Sequence, residues 1–275
     1  MSNYSVPEGT RIYAIGDIHG EAALLDLLLA DIREDAEKHP AERHLLIYLG
    51  DYVDRGPDTR GVIERLLAGP PEGFEQICLL GNHEEMLLSC LKGIPRMKAL
   101  WLLHGGDAAC RSYGIDPSQP PEAVAEELRR RMPLAHKELL HRLQLWHREG
   151  DYFFTHAGIR PGVALDEQRR EDLIWIRKAF TDCPDDHGCV VVHGHSVVPA
   201  PEDLPNRINV DTGAAYGNAL TAVVLQGSGR KFLQVQAGGD LVTELFDQPL
   251  PEEAPEAAQH SAEPARRAAR RGWWR

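Results

Sequence analysis

The sequence contains no run of about 18 consecutive apolar residues, the length that a membrane-spanning helix requires. Its beginning, from Met1 to Arg11, also lacks the basic region followed by an apolar stretch that is typical of a secretory signal. The first absence excludes a membrane span. The second leads us to expect a cytoplasmic protein.

Cysteine and positive charge are scarce as well. The five cysteines are an odd number without CxxC or zinc-ribbon spacing, so we expect reduced thiols and no disulfide framework; they are Cys78, Cys90, Cys110, Cys183 and Cys189. Thirty Lys and Arg against 42 Asp and Glu give a formal net charge of −12. This balance argues against nucleic-acid binding, because affinity for the phosphate backbone comes from basic side chains.

The first part of the chain alternates between strand-like and helix-like segments. Strand-like segments at 11–15, 44–49 and 76–80 are each followed by a short loop and then by helical spacing, at 21–37, 59–67 and 84–91. Such alternation predicts an α/β fold in which the loops gather at one edge of a buried sheet. The 43% of hydrophobic residues is sufficient for a packed core.

The remainder of the chain divides into three parts. Residues 94–147 contain helix-forming residues broken by Gly and Pro, and we expect a helical insertion over the site. Strand-like stretches then return at 152–155, 190–192, 207–210, 220–225 and 231–236. Short connections between the last of them predict antiparallel pairing in a second sheet or at a sheet edge, and a two-sheet sandwich flanked by helices accommodates them all. We expect one domain over 1–248 and a disordered tail over 249–275, which is rich in Pro, Glu, Ala and Arg.

Side chains that can bind metals follow the predicted strands. The first three loops carry Asp17 and His19, Asp51 and Asp54, and Asn82 and His83, and two later apolar runs lead into His156 and His195. Isolated groups of this kind are usually helix caps, but pairs at three successive strand ends, bracketed by glycines, are not explained by capping. Mixed oxygen and nitrogen donors suit manganese, iron, zinc or cobalt better than calcium, and the absence of cysteine argues against a structural zinc site.

Five motifs carry a family resemblance. GDIHG at Gly16, GDYVDRG at Gly50, GNHE at Gly81, THAG at Thr155 and HGHS at His193 resemble the ordered signature of the calcineurin-like metallophosphoesterases. Within that superfamily, residues 10–236 resemble most the serine/threonine phosphoprotein phosphatase branch with its bacterial and phage members. The resemblance implies the calcineurin-like phosphoesterase fold and two divalent metal ions. We expect manganese, with iron, zinc, cobalt and nickel as alternatives.

The resemblance also implies a role for each motif residue. The first metal would be held by Asp17, His19 and Asp51. The bridging carboxylate of Asp51 would share the second metal with Asn82, His156 and His195, and a hydroxide between the two ions would attack phosphorus.

The resemblance assigns acid catalysis and phosphate binding to four further residues. His83 would protonate the leaving group while Asp54 accepts a hydrogen bond from it, and Arg55 and Arg177 would bind the phosphate. His193 precedes the ligand position and is expected to be a neighbour only. Trp101, His104 and Trp146 receive no role, because a tryptophan at helical spacing is most often part of the core.

Three hypotheses for the function follow. The first is a monomeric protein phosphatase acting on phosphoserine or phosphothreonine, and on phosphotyrosine if the cleft admits it; Asp54 and Glu84 are in the form of that branch. The alternative is a nucleotide hydrolase resembling the symmetrical diadenosine tetraphosphatases, which usually have alanine and aspartate at those two positions. The third, a binding module without chemistry, conflicts with the presence of all six ligands and His83.

Overall fold

The computed structural model describes residues 4–236. Within them the strands are β1 (Thr10–Ile15), β2 (Arg43–Tyr48), β3 (Phe74–Cys78), β4 (Trp146–Glu149), β5 (Tyr152–Thr155), β6 (Val190–His193), β7 (Glu202–Asp203), β8 (Arg207–Asn209), β9 (Leu220–Gln226) and β10 (Gly229–Val235). The α-helices are α1 (Ala22–Lys38), α2 (Thr59–Ala68), α3 (Asn82–Leu91), α4 (Pro95–Trp101), α5 (Asp107–Ser112), α6 (Pro121–Arg131), α7 (Leu134–Arg142), α8 (Arg170–Trp175) and α9 (Lys178–Thr181). The proposed tail 249–275 and the proposed domain end at 248 lie outside the described residues.

The strands form two five-stranded sheets, with the orders β10-β9-β1-β2-β3 and β4-β5-β6-β8-β7. Strands β1, β2 and β3 are parallel to one another in the first sheet, as are β5, β6 and β8 in the second. Both sheets are mixed, because antiparallel strands complete their edges. The expected two-sheet sandwich flanked by helices is confirmed.

The core has two layers because alternate residues of a strand face opposite sides. Ile12 and Ala14 of β1 pack between the sheets against residues such as Phe154 of β5, whereas Tyr13 and Ile15 face the layer formed with the helices. All six residues of β1 are buried, which explains its continuous apolar run. A strand covered on both faces holds the loop that follows it in a fixed position.

The last strands, β9 and β10, are antiparallel as expected and lie at the edge of the first sheet beside β1, while β6 and β8 of the second sheet are parallel. One expectation needs correction. The helical insertion contains α4 to α7, but Trp146 and His147 do not belong to it; they begin β4, which pairs with β5. The alternating side chains of β4 are half-exposed, so its sequence has no apolar run that would mark it as a strand.

Two further observations concern the cysteines and the helices. All five cysteines lie in the described part and are free thiols. No helix between residues 4 and 236 is long and apolar enough to cross a membrane.

Candidate metal centre

The structure brings the six proposed ligands together at one edge of the sandwich. Parallel strands end at a common edge, and five loops that follow strands meet there. The side chains concerned are buried; they are Asp17, His19, Asp51, Asn82, His156 and His195. Two donor groups within this region, His19–Asp51–His83 and Asp51–His156–His195, have the compactness of metal sites.

Asp51 lies at the centre of the cluster. Its Oδ2 is 3.4 Å from His19 Nε2, and its Oδ1 is 3.4 Å from His156 Nε2. Asn82 Oδ1 is 2.9 Å from the same nitrogen of His156. The two oxygens of one carboxylate therefore face two different donor groups, which is the arrangement that a bridging ligand needs.

Asp17 connects the two halves. Its carboxylate lies 4.0 Å from His19 Nε2 and 4.0 Å from His156 Nδ1, and it accepts the backbone N–H of His195 at 3.1 Å and 3.2 Å. A side chain on Gly194 would overlap this carboxylate, so the glycine of HGHS is required for the approach of Asp17. Gly81 has the same relation to the carboxylate of Asp51.

Backbone carbonyl groups set the orientation of two histidines. His19 Nδ1 is 2.8 Å from the Val53 oxygen, and His156 Nδ1 is 3.0 Å from the Leu49 oxygen. A carbonyl oxygen can only accept, so both Nδ1 atoms carry hydrogen and both Nε2 atoms present a lone pair towards Asp51. His195 Nε2 is buried without a hydrogen-bond partner among residues 4–236. Carboxylate, amide and imidazole donors that include an unpartnered buried nitrogen fit divalent metal ions.

The electrostatics of the cluster also fit cations. Burial, with the charges of Asp211 and Asp51, raises the pKa of Asp17 well above its ordinary value. Burial raises the pKa of Asp51 and lowers that of His156 to about 3. The raised pKa values of Asp17 and Asp51 reflect two carboxylates that are buried close together, and bound metal ions would supply positive charge beside them.

Asp211 is a member of this cluster that the sequence did not single out. It is buried after β8, and burial raises its pKa to about 6. It lies in the run INVDTGAAYG, so an apolar strand followed by an aspartate and a glycine was the available signal. We propose no direct metal contact for it; its negative charge raises the pKa of Asp17.

The backbone of the site is strained. Among residues 4–236 the non-glycine residues with positive φ are His19, Asp51, Asp54, Arg55 and His195. All belong to the predicted site, and φ values from 46° to 73° place them in the left-handed region. Such conformations cost on the order of 1 kcal/mol or more each and persist where surrounding contacts impose them.

His83 and Asp54 form a buried pair beside the ligands. His83 Nδ1 is 2.7 Å from Asp54 Oδ2, and Arg55 Nη2 is 2.9 Å from His83 Nε2. Burial raises the pKa of Asp54 well above its usual range and lowers that of His83 to about 4. His83 belongs to the donor group of His19 and Asp51, and its place outside the metal ligands remains the assignment that the family resemblance implies.

Glu84 fixes the loop that carries Asp51. Its buried carboxylate accepts the backbone N–H groups of Asp51 at 2.9 Å, Tyr52 at 2.7 Å, Val53 at 3.2 Å and Gly81 at 3.0 Å. Burial and the charge of Asp51 raise the pKa of Glu84 to about 8, and the donated hydrogen bonds oppose this rise. The sequence had presented Glu84 only as a mark of family branch, whereas the structure shows what it holds.

The two arginines contact different members of the cluster. Arg55 contacts His19 Nε2, and its guanidinium carbon is 5.5 Å from the ring of the exposed Tyr216. Arg177 Nη1 is 3.4 Å from the carbonyl oxygen of His195, and its charge contributes to the low pKa of that histidine after burial and His156. Two guanidinium groups therefore flank the proposed ligands.

Of the neighbouring aromatic residues, one contacts the site and two pack away from it. His193 is buried against Phe180, with ring centroids 5.1 Å apart, and lies outside the two donor groups as expected. Trp146 is stacked on Phe153 in the second sheet. Trp101 is fully buried, but it also contacts the site through its indole N–H.

A metal-dependent phosphoester hydrolase is the class of protein that this fold and this donor set define. The family model of the calcineurin-like phosphoesterases matches residues 10–225, which is most of the chain. The chain therefore belongs to this family, whose members use a dinuclear divalent metal centre.

Individual relatives carry different names. An asymmetrical bis(5'-nucleosyl)-tetraphosphatase from Halalkalibacterium halodurans is 28% identical over 252 residues, covering 84% of this chain and 96% of that protein. Serine/threonine-protein phosphatase 1 from Salmonella typhimurium is 28% identical over 224 residues, covering 78% and 92%. The structure of a putative diadenosine tetraphosphatase superimposes with a TM-score of 0.57 at 22% identity, covering 86% of this chain and all of the other, and this likeness concerns the fold.

Proposed function

We propose that the protein hydrolyses phosphate monoesters of serine and threonine side chains in proteins. The proposal is carried by the buried His83–Asp54 pair, whose nitrogen and oxygen are 2.7 Å apart. An alkoxide from serine or threonine is a poor leaving group and needs a proton, whereas phosphate-type leaving groups need little help. A built acid pair is therefore most useful for a poor leaving group.

The residues of the site would share the work as follows. Asp17, His19 and Asp51 would hold one metal ion, and Asp51, Asn82, His156 and His195 the other. When bound, the ions supply Lewis acidity and make water nucleophilic at neutral pH. Arg55 and Arg177 would bind the phosphate oxygens from two sides.

The proton would come from His83 Nε2. In the described arrangement Arg55 donates to that nitrogen, and a pKa of about 4 leaves the ring neutral at pH 7. When a phosphate is bound, the Arg55 guanidinium would donate to the phosphate and no longer to His83 Nε2, and the phosphate would place negative charge beside that nitrogen. Both changes favour the imidazolium form that donates a proton to the leaving oxygen.

A dinucleoside tetraphosphatase is the second candidate, favoured by the named relatives of asymmetrical type. The symmetrical type considered from the sequence differs at the positions of Asp54 and Glu84. Both candidates would use the same metal centre and differ in what the surrounding loops admit. Manganese as the native metal, the monomeric state and the cytoplasmic location remain predictions.

The test is turnover by metal-stripped and manganese-reloaded protein on a phosphothreonine peptide, p-nitrophenyl phosphate and diadenosine tetraphosphate. Manganese-dependent release from the peptide, with little from the dinucleotide, supports the protein phosphatase. Preference for the dinucleotide would overturn the substrate class and keep the hydrolase. Intact metal binding without turnover of any of the three would support the binding module instead.

A further inference from the structure

Trp101 is the one side chain of the insertion that the sequence assigned to the core and that also hydrogen-bonds to the proposed acid pair. Its indole Nε1 lies 2.9 Å from Asp54 Oδ1 and 3.0 Å from Asp54 Oδ2. Both residues are completely buried, at 0% exposure. A contribution to packing alone would not require the N–H to point at a carboxylate.

The segment around Trp101 is shaped to hold the indole in place. Helix α4 ends at Trp101, and the chain then kinks within Leu102–Gly106, where His104 and Gly105 leave the helical conformation and Gly105 has φ 102°. A side chain on Gly106 would overlap the indole ring, so glycine is required there. The Gly105 carbonyl also accepts the backbone N–H of Arg55 at 3.0 Å.

Asp54 depends on these donors because it has few others. The backbone N–H of Asp54 donates to Thr59 Oγ1 at 3.0 Å. The Asp54 carboxylate accepts hydrogen bonds from the His83 ring and the Trp101 indole. Without the indole, a buried carboxylate would keep one side-chain donor and could rotate away from His83 or take up a proton. Either change would leave the His83 ring without its partner.

We propose that Trp101 is a positioning residue for proton transfer. It holds the Asp54 carboxylate so that Oδ2 faces His83 Nδ1, which directs His83 Nε2 to the leaving oxygen. This inference rests on the proposed function, because it takes His83 as the acid. Among the described residues the indole N–H of Trp101 hydrogen-bonds to Asp54, which is not a proposed metal ligand, so Trp101 would act through Asp54.

The test uses Trp101→Phe and, as an isosteric replacement without the N–H, 3-benzothienylalanine at the same position. Turnover of phenyl phosphate is compared with that of p-nitrophenyl phosphate, whose phenolate leaves without acid assistance. We expect about a 10- to 100-fold loss on phenyl phosphate, the usual effect of removing a hydrogen-bond partner behind a functional group, and little loss on p-nitrophenyl phosphate. Bound manganese should stay as in the wild type. Trp146→Phe, in the second sheet, is the control that should leave both rates unchanged.

The same measurements in a His83→Asn background separate the possible failures. His83→Asn should itself lose more on phenyl phosphate than on p-nitrophenyl phosphate while keeping its metals, and Trp101→Phe should then add no further loss that depends on the leaving group. If His83→Asn shows no such dependence, the proposed acid is wrong and the inference fails with it. If His83→Asn shows it but both Trp101 replacements lose equally on the two substrates, or lose metal, only the inference about Trp101 is overturned.

Discussion

A cluster of buried charged groups lies at each end of strand β1, and the carboxylates of the two clusters are neutralised in different ways. Beyond its carboxyl end lies the metal-edge cluster, formed by Asp17, Asp51 and their histidine partners. At its amino end lies the Arg11 cluster, in which Asp35 accepts from Arg11 at 2.6 Å and from the Tyr13 hydroxyl at 2.8 Å and also contacts Lys231. One strand thus connects a structural charge cluster to a functional one.

The difference lies in the balance of charge. Burial alone would raise the pKa of Asp35, but Lys231 and Arg11 lower it below its ordinary value. In the metal-edge cluster, burial raises the pKa of Asp51, and burial together with the charges of Asp211 and Asp51 raises the pKa of Asp17. Lys231 and Arg11 contact Asp35 directly, whereas Arg55 and Arg177 leave the pKa of Asp51 raised, and we propose that divalent cations from solution complete the metal-edge cluster. Buried charge of the first kind supports folding, and buried charge of the second kind creates a binding site.

The largest break in this comparison is expected from Asp51→Asn. Removing the bridging carboxylate should abolish manganese binding and lower turnover by about 10⁴-fold or more, as when a set of catalytic groups that act together is dismantled. Manganese should raise the melting temperature of the wild type, because a ligand that binds the folded state stabilises it, but not that of the variant. Metal analysis and thermal unfolding with and without manganese check both points. Retention of two metal ions by the variant would show that Asp51 does not bridge.

Asp35→Asn should have the opposite signature. Two buried or partly buried cations lose their counter-charge, so the free energy of unfolding should fall by about 3–5 kcal/mol. The manganese content and turnover of the remaining folded protein should match the wild type. Urea unfolding monitored by circular dichroism, together with metal analysis, is the measurement. A loss of metal without loss of stability would contradict the division between the clusters.

Glu84→Gln should affect the metal-edge cluster more weakly. A glutamine offers one acceptor oxygen in place of two, so some of the N–H groups of the Asp51 loop lose their partner. We expect manganese affinity to fall by about 10- to 100-fold. The matched control is Glu85→Gln, because Glu85 binds Arg170 and Trp175 instead. Equal metal affinity in the two variants would exclude a role of Glu84 in holding the ligand loop.

The smallest effect is a difference in pH dependence. Because the folded-state pKa of Asp35 is lowered, its contribution to stability is complete above the unfolded-state pKa of about 4 and is lost as the pH falls through the folded-state value. The difference in the free energy of unfolding between the wild type and Asp35→Asn should therefore become smaller as the pH falls below about 4. Urea unfolding of both proteins over that range measures it. A difference that grows on acidification would contradict the lowered pKa.

The sequence was most informative for side chains whose position follows directly from the strand that precedes them. Asp17 and His19 follow a buried strand directly, so their place at the sheet edge could be predicted from the apolar run and the glycines alone. The left-handed conformation of His19 could not, because φ is imposed by contacts such as its hydrogen bond to Val53 in a different loop.

Contacts between distant segments account for what the sequence missed. Asp211 lies 194 residues after Asp17 and meets it only because β8 and β1 end at the same edge. Strand β4 had no apolar run, and its pairing with β5 depends on a short reversal. Trp101 was correctly expected to be buried, but no spacing rule connects it to Asp54, which lies 47 positions earlier.

The kinked turn over Leu102–Gly106 has an inner side and an outer side that tolerate change differently. Its inward-facing parts, the Gly105 carbonyl and the glycine beneath the Trp101 ring, are tied to the Asp54–Arg55 loop. Leu103, in the same turn, is 83% exposed. Evolution or a laboratory library could therefore change the outward residue freely, while an inserted or deleted residue would shift the register of the turn and detach the acid pair. The turn therefore tolerates substitution at Leu103 but not a change in its length.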